Sequence, residues 1–163
     1  LMFKIKLSIL LLISFFIFSC TNNQVNYSQQ KYSLAYIGGE YDGLLLKNYI
    51  ISSLKNIDIY DQNSIFEIQA NISHGSNLYI TNTDNTSDRE KISTYLYIQI
   101  LDKSSNCNIF SYETDISQFY IYASGDKFLS NRTAVNKIKK DNTEAAVKKF
   151  INKLKKIDNK CYE

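Results

Sequence analysis

Few residues in this chain could do covalent or metal chemistry: its 163 residues include one histidine, three cysteines, no tryptophan and no proline. Zinc sites take three or four histidine or cysteine ligands, and only His74, Cys107 and Cys161 remain once the first cysteine is set aside. A nucleophilic pair of Cys107 and His74 would need an oxyanion hole, and no signature of one lies near either residue. His74 also begins residues 74–77, whose glycine and asparagine are typical of a turn. The sequence therefore predicts no catalytic residue, no metal, no cofactor and no enzyme.

The first cysteine follows a segment with the features of an export signal. Two lysines precede an apolar run at residues 7–18, which is shorter than the ~20 residues that span a bilayer. The run ends in Ser19 and Cys20, which resembles the lipobox of bacterial lipoproteins. Residues 1–19 would then be a removed signal peptide and Cys20 the site of lipid attachment. The alternative is an ordinary secretory signal in which the cysteine is incidental.

Lipid at Cys20 would anchor the protein to a membrane. Each buried methylene of an acyl chain such as palmitate contributes ~0.8 kcal/mol, and several chains together hold firmly. Thr21 stands where an aspartate would, in the known sorting pattern, favour retention at the inner membrane. The expected location is therefore the periplasmic face of the outer membrane.

The other two cysteines pose a separate question. An exported protein folds in an oxidising compartment, where thiols tend to pair. Cys107 is expected in a loop between strands and Cys161 just after the last helix, so a bridge requires those two places to meet. The sequence leaves both states open, a disulfide between Cys107 and Cys161 or two free thiols.

Charge and composition limit the class of protein. Removing Lys4 and Lys6 with the signal from the 19 basic residues leaves 17 against 16 acidic ones. A nucleic-acid binder normally shows a clear basic excess, so no nucleic-acid partner is expected. Hydrophobic residues make up 44% and charged residues 21% of the chain, which is typical of a globular domain. We expect a polar tether at 20–30 and one domain at 31–163.

The hydrophobic period changes twice along that domain. It favours helices at 40–55 and from about residue 126 to the end, with a kink or break near 141–142, and strands between them. The expected strands are 31–37, 66–73, 78–80, 92–100 and 109–120, with a turn at 74–77 between the second and third. These elements predict an α+β fold: a mostly antiparallel sheet of about four strands, covered on one face by two helices, in the order β-α-β-β-β-β-α.

The last helix has one apolar face and one lysine-rich face. The residues predicted to share the apolar face are Ala134, Ile138, Ala145, Phe150, Leu154 and Ile157. The lysines opposite them are typical of a solvated face, although they also suit anionic lipid. The sequence does not decide between these two interpretations of the lysines.

The strand tyrosines also have two interpretations. Tyr95 and Tyr97, among others, suit a partner surface as well as they suit ordinary strand propensity. The sequence leaves this choice open.

In order along the chain, these elements resemble the LPS-assembly lipoprotein family (LptE). The resemblance lies in the lipobox cysteine, a short first strand, a helix like 44–54, a polar stretch with Arg89, a long strand ending at 101–102, a strand like 110–112, and a segment at 122–124 entering the last helix. The chain departs from the family at 21–24, which lack the usual Gly-Phe and Pro-Leu-Tyr groups. The last helix is also rich in lysine and asparagine where relatives have alanine and arginine.

The resemblance implies a plug subunit of the outer-membrane translocon for lipopolysaccharide. Its expected partners are the LPS-assembly barrel (LptD-like), whose assembly it would aid, lipopolysaccharide itself, and the membrane through its lipid. Basic side chains would contact the phosphates of the glycolipid; the candidates are Arg89 and Lys91, then Lys127 and Arg132. The rival expectation is a periplasmic or surface lipoprotein that acts as an adhesin or ligand-binding module and has no role in LPS export.

Overall fold

The computed structural model describes residues 30–80, 88–121 and 128–157. The predicted signal peptide, Cys20 and most of the predicted tether lie outside these residues. Four strands and two helices follow in the order β-α-β-β-β-α. They are β1 (Tyr32–Gly38), α1 (Glu40–Asn56), β2 (Phe66–Ile80), β3 (Asp88–Asp102), β4 (Cys107–Ile121) and α2 (Phe128–Leu154).

The four strands form one sheet in the order β1-β2-β3-β4. β1 runs parallel to β2, and α1 makes the crossover that a parallel pair needs. β2, β3 and β4 pair in antiparallel fashion along their full lengths. The predicted α+β class, with a mostly antiparallel sheet of four strands and two covering helices, is confirmed.

The turn predicted at 74–77 is wrong. β2 continues through these residues, with His74 opposite Thr94 and Asn77 opposite Lys91 on β3. The strand segments predicted on either side are therefore a single strand. Gly75 has open space around it and an ordinary negative φ, so nothing local forces a reversal. The long alternating strand β3 supplies hydrogen-bonding partners along the whole stretch, and this pairing overrides the local turn preference.

The core lies between the two helices and one face of the sheet. Strand residues at alternate positions, such as Ile68 and Ile98, are fully buried in one cluster with Ile50 and Leu54 of α1. Phe150 of α2 packs on the rings of β4 residues 110 and 112, with centroids 6.5 and 5.9 Å away. The prediction of one apolar sheet face under two amphipathic helices is thus confirmed.

Helix α2 is continuous, so the break predicted near 141–142 is wrong. Asn142 is fully buried and its side-chain amide donates hydrogen bonds to the backbone oxygens of Ile92 (3.4 Å) and Ile116 (3.3 Å). Its carbonyl oxygen accepts one from Gln118 at 2.7 Å. A polar residue interrupts the apolar stripe here because it satisfies polar groups of the sheet.

The buried face of α2 is rotated relative to the predicted one. Ala146, Val147 and Ile151 are buried, whereas Ala134, Ile138 and Ala145 of the predicted face are only half-buried. Phe150 and Leu154 belong to both sets.

The turn from β1 into α1 depends on glycine. Gly39 has φ 110°, and a Cβ there would lie 2.7 Å from the backbone oxygen of Ile72. A Cβ on Gly43 would lie 2.7 Å from the backbone oxygen of Gly38. These two positions let the start of α1 sit close against the sheet.

Neither helix in the described part of the chain is long and apolar enough to cross a membrane.

Candidate functional site

Three of the four predicted cationic contacts lie at one end of the sheet, which we call the distal end. It comprises residues 77–79 of β2, 89–91 of β3, 118–121 of β4 and the first two turns of α2 at 128–135. Arg89 and Lys91 are on β3, and Arg132 is on α2. The fourth candidate, Lys127, lies outside the described residues.

Arg89 and Lys91 point to the outer face of the sheet, the face opposite the helices. The alternation along β3 places them with Tyr95 and Tyr97, while Ile92 and Leu96 face the core. Each of the two cations has one paired residue on β2 and one on β4. Arg89 and Lys91 therefore belong to two adjacent rows of side chains that run across the strands on the outer face. The strand predicted at 92–100 begins earlier, at Asp88, so both cations lie within β3, two residues apart.

The neighbours of the two cations are largely apolar. Arg89 lies between Tyr79 of β2 and Ile121 of β4, and Lys91 lies beside Phe119 of β4. The rings of Tyr79 and Phe119 meet edge to face, with centroids 5.8 Å apart. Tyr79 belongs to β2 and Phe119 to β4, the strands on either side of β3. Their contact therefore passes over β3, between Arg89 and Lys91.

Several large apolar side chains on this outer surface are exposed to solvent. Tyr79 is 45%, Phe119 57% and Ile121 72% exposed. Within the described residues, neither Arg89 nor Lys91 forms an ion pair with a carboxylate. Two cations beside exposed aromatic and aliphatic groups can bind a molecule with both an anionic group and apolar chains.

Arg132 belongs to the other side of the same end. It borders a cavity of about 370 Å³ with Phe128 and Val135 of α2 and with Glu90 and Tyr120 of the sheet. The hydroxyl of Tyr120 donates a hydrogen bond to the Glu90 carboxylate. The structure therefore groups Arg89 with Lys91 and separates Arg132 from them by the thickness of the sheet.

Sequence reasoning missed the apolar members of the distal end. The alternation of β4 places Asp115 and Ser117 on the outer face. Two further steps of the same period lead to Phe119 and Ile121, so the signal that places them on this face is present in the pattern. Phe128 of α2 is also exposed at this end, and its exposure depends on packing that the sequence does not reveal.

The middle of the outer face has a different character. The hydroxyl of Tyr95 donates to the Glu113 carboxylate at 2.9 Å, and this hydrogen bond is the main cause of a raised pKa at Tyr95. Beside it, Tyr36, Tyr97 and Gln99 border a shallow cavity of about 180 Å³. The amide of Gln99 donates to that of Gln69 at 2.9 Å.

The conceivable Cys107–His74 nucleophilic pair is excluded by position. His74 pairs with Thr94 and Cys107 with Asp102, which are eight residues apart on β3, about 26 Å. Cys107 is disulfide-bonded. Its predicted partner, Cys161, lies outside the described residues, so the bridge between these two stays a prediction.

His74 is instead enclosed between sheet and helices. Its side chain is 2% exposed, with Nδ1 2.8 Å from the hydroxyl of Thr94 and Nε2 3.7 Å from Asp42 of α1. Lys139 of α2 lies 3.9 Å from the same Asp42 oxygen. Thr94 is fully buried, whereas the side chains of Asp42 and Lys139 are 32% and 34% exposed. No cluster of three potential metal ligands occurs in residues 30–80, 88–121 and 128–157.

Comparison with known proteins shows the fold. No family model and no curated protein sequence matches this chain. Solved structures do: rare lipoprotein B from Shewanella oneidensis aligns with a TM-score of 0.62 at 9% identity, covering 77% of this chain and 93% of that one. The minor lipoprotein from Acinetobacter baumannii gives a TM-score of 0.58 at 12% identity, covering 78% and 92%. A Caulobacter crescentus protein described as a lipoprotein gives 0.56 at 16% identity, covering 77% and 88%.

The chain is therefore an α+β protein with the architecture of these three bacterial proteins. Its distal end carries a cationic and apolar surface.

Proposed function

We propose that this protein is an outer-membrane lipoprotein that acts as the plug subunit of the LPS-assembly translocon. In this role it aids assembly of the barrel and contacts lipopolysaccharide on its way to the cell surface. The proposal is supported by the sequence resemblance, by the lipobox ending in Cys20 and by the fold shared with proteins described as lipoproteins.

The observation that carries the proposal is the outer surface of the distal end. Lipopolysaccharide combines phosphate groups with acyl chains. Arg89 and Lys91 supply the cations for the phosphates, and Tyr79, Phe119 and Ile121 supply exposed apolar area for the chains. A protein tethered by lipid also works at a high effective concentration beside a barrel in the same membrane.

Charge reversal of the two cations tests the glycolipid contact. The double variant Arg89→Glu and Lys91→Glu should weaken lipopolysaccharide binding by about tenfold or more, because two charge-assisted contacts become repulsive. Binding is measured by titrating the purified protein with fluorescent lipopolysaccharide. The matched control is Lys148→Glu and Lys149→Glu, which makes the same charge change on the exposed face of α2. Equal weakening by both double variants would contradict a site at Arg89 and Lys91.

Removal of the acylated cysteine tests the anchor. The variant Cys20→Ala should move from the outer-membrane fraction to the soluble periplasmic fraction, because no acyl chain remains to hold it. Fractionation and immunoblotting measure this. If the variant stays in the membrane fraction, the lipid is not the anchor.

The barrel partner is tested by co-purification. Tagged protein should retain an outer-membrane barrel from detergent-solubilised membranes, and depletion of the protein should lower both the folded barrel and lipopolysaccharide at the cell surface. Unchanged amounts of both after depletion would contradict the proposal.

The second candidate is a ligand-binding module unrelated to LPS export. It is favoured by the shallow cavity on the middle of the outer face, where the aromatic rings of Tyr36 and Tyr97 lie beside the amides of Gln69 and Gln99. Such a lining suits a small polar ligand. Normal surface lipopolysaccharide in depleted cells, with a bound ligand lost in Tyr97→Ala, would select this function.

A further inference from the structure

Another concave site lies at the end of the sheet opposite the distal end. It is a cavity of about 220 Å³ between the start of β1, the segment that follows α1 and the C-terminal end of α2. Its polar groups come from Gln30, Tyr32 and Lys155. The proposed contact with lipopolysaccharide uses none of these residues.

The remaining lining of the cavity is aliphatic. Ile57 and Ile59 border it on one side, and Leu154 and Ile157 on the other. An apolar cavity of ~150 Å³ is large enough to hold benzene, so a cavity of this size accommodates a chain of about eight carbons. The cavity therefore suits an aliphatic ligand of that length.

The amide of Gln30 gives this cavity its specific polar feature. Its Nε2 atom is buried and has no hydrogen-bond partner among the residues that the structure describes. A buried donor without a partner destabilises a protein, and native structures seldom leave one unsatisfied. A ligand oxygen in the cavity that Gln30 borders would supply the missing acceptor.

Tyr32 adds a second donor at the same place. Its side chain is buried, and this burial raises the pKa of its hydroxyl to about 12. The hydroxyl therefore keeps its proton and can donate to an acceptor. Two neutral donors on residues that line one cavity favour a ligand whose oxygen atoms only accept.

The charge at the cavity mouth selects an anion. Lys155 borders the cavity, and Lys153 and Lys156 are exposed on the same end of α2. The C-terminus of a helix carries about half a negative charge. Asp58, between the lining residues 57 and 59, adds one negative charge. The three ammonium groups outweigh the sum of these two negative charges, so the described residues favour a carboxylate at the mouth.

We propose that this cavity is a binding site for a medium-chain fatty acid. The carboxylate accepts hydrogen bonds from Gln30 and Tyr32 and lies near the ammonium group of Lys155. The aliphatic chain occupies the space between residues 57, 59, 154 and 157. The ligand class is an unesterified acyl chain of about eight carbons.

Acyl chains linked to Cys20 are the other source of related chemistry, because the predicted tether at 20–30 ends at this cavity. Such chains end in an ester or amide carbonyl and carry no negative charge. The charge of Lys155 favours the free acid, and the experiment distinguishes the two sources.

The test uses the full lipidated protein in phosphatidylcholine nanodiscs, titrated with carboxyl-¹³C octanoate and followed by NMR, with empty nanodiscs as the blank. We expect saturable binding with a Kd on the order of 1 mM, as the size of the ligand allows. Gln30→Leu should weaken it about tenfold, because it removes a donor to a charged group. Lys155→Gln should weaken it severalfold. The matched control Lys156→Gln, which removes the same charge from an exposed residue outside the lining, should bind like the wild type.

Two competitors complete the experiment. Octylammonium, with the same chain and opposite charge, should not displace octanoate, and methyl octanoate should displace it only weakly. Signal no greater than that of empty nanodiscs, or equal binding by wild type and Gln30→Leu, would overturn the proposal. Stronger binding of methyl octanoate than of octanoate would overturn it in favour of an esterified chain. None of these outcomes changes the interpretation of Arg89 and Lys91 at the opposite end of the sheet.

Discussion

Strands β2, β3 and β4 run through both ends of the sheet, but the two ends differ in how much of the sheet the helices cover. Where α1 and α2 both lie over the sheet, inward residues such as Ile68 and Ile98 are fully buried. At the distal end, Leu78 of the inward row is more than half exposed, and so are Phe119 and Ile121 on the outer face. Apolar side chains thus form a core at one end and an open surface at the other.

The difference follows from where α1 begins. Asp42, in the first turn of α1, lies beside His74, so β2 extends beyond the helix for the rest of its length. Of the two described helices, only α2 reaches the distal end, through the turns that contain Phe128 and Arg132. Burial of an apolar strand residue in this protein is therefore decided by the helix above it.

Truncation of a core aromatic should show the largest effect. Phe150→Ala is expected to lower the free energy of unfolding by about 3–5 kcal/mol, because Phe150 is fully buried between α2 and β4 and its removal leaves a cavity. Urea unfolding measures the change. A loss below about 1 kcal/mol would show that the covered end is loosely packed.

The buried amide of α2 should rank second. Asn142→Ala removes hydrogen bonds to the backbone oxygens of Ile92 and Ile116 and is expected to cost about 1–3 kcal/mol. The control Asn136→Ala lies on the exposed side of the same helix and should change stability little. Equal effects of the two variants would mean that the buried hydrogen bonds of Asn142 do not hold α2 on the sheet.

The enclosed histidine at the boundary between the two ends predicts a pH dependence. Burial, the largest influence, lowers the pKa of His74 from its ordinary value of 6.5; Asp42 acts to raise it and Lys139 to lower it. The folded state therefore binds the proton less readily than the unfolded state. The stabilisation by neutral His74 is fully present above pH 6.5 and is lost as the pH falls from there toward the lowered folded value.

We expect the urea midpoint of the wild type to fall between about pH 7.5 and about pH 5.5 by more than that of His74→Gln, which cannot titrate. The carboxylates are the same in both proteins. The difference between the two slopes of urea midpoint against pH therefore comes from the titration of His74. Parallel slopes would show that His74 keeps its ordinary pKa in the folded protein.

The same truncation at the distal end should have the smallest effect on folding. Phe119→Ala is expected to change the free energy of unfolding by less than about 1 kcal/mol, because the side chain is mostly exposed. It should nevertheless weaken lipopolysaccharide binding in the titration described above. A large loss of stability would show that the ring contact with Tyr79 supports the sheet itself.

Several features could be predicted because hydrophobic period encodes local structure. The alternation at 92–100 assigns Ile92 and Leu96 to the core and Tyr95 and Tyr97 to the outer face, as the structure shows. The helix predicted at 40–55 is α1 within one residue.

Other features depended on partners distant in sequence. The turn-like residues 74–77 became strand because β3 pairs with them, and Asn142 stays in a continuous helix because sheet groups accept from and donate to its amide. The cavity near Gln30 and Lys155 joins residues more than a hundred positions apart, so no local pattern signals it.

By itself, the sequence determined which segments could form strands and helices and which side of each strand is apolar. It also determined that potential catalytic groups are scarce. Only the tertiary structure decided which apolar rows are covered, where the cations meet exposed rings, and where a donor is left without an acceptor. The physical reason is that side-chain period is a property of the local backbone. Burial and hydrogen-bond satisfaction, in contrast, depend on the elements that come to lie above it.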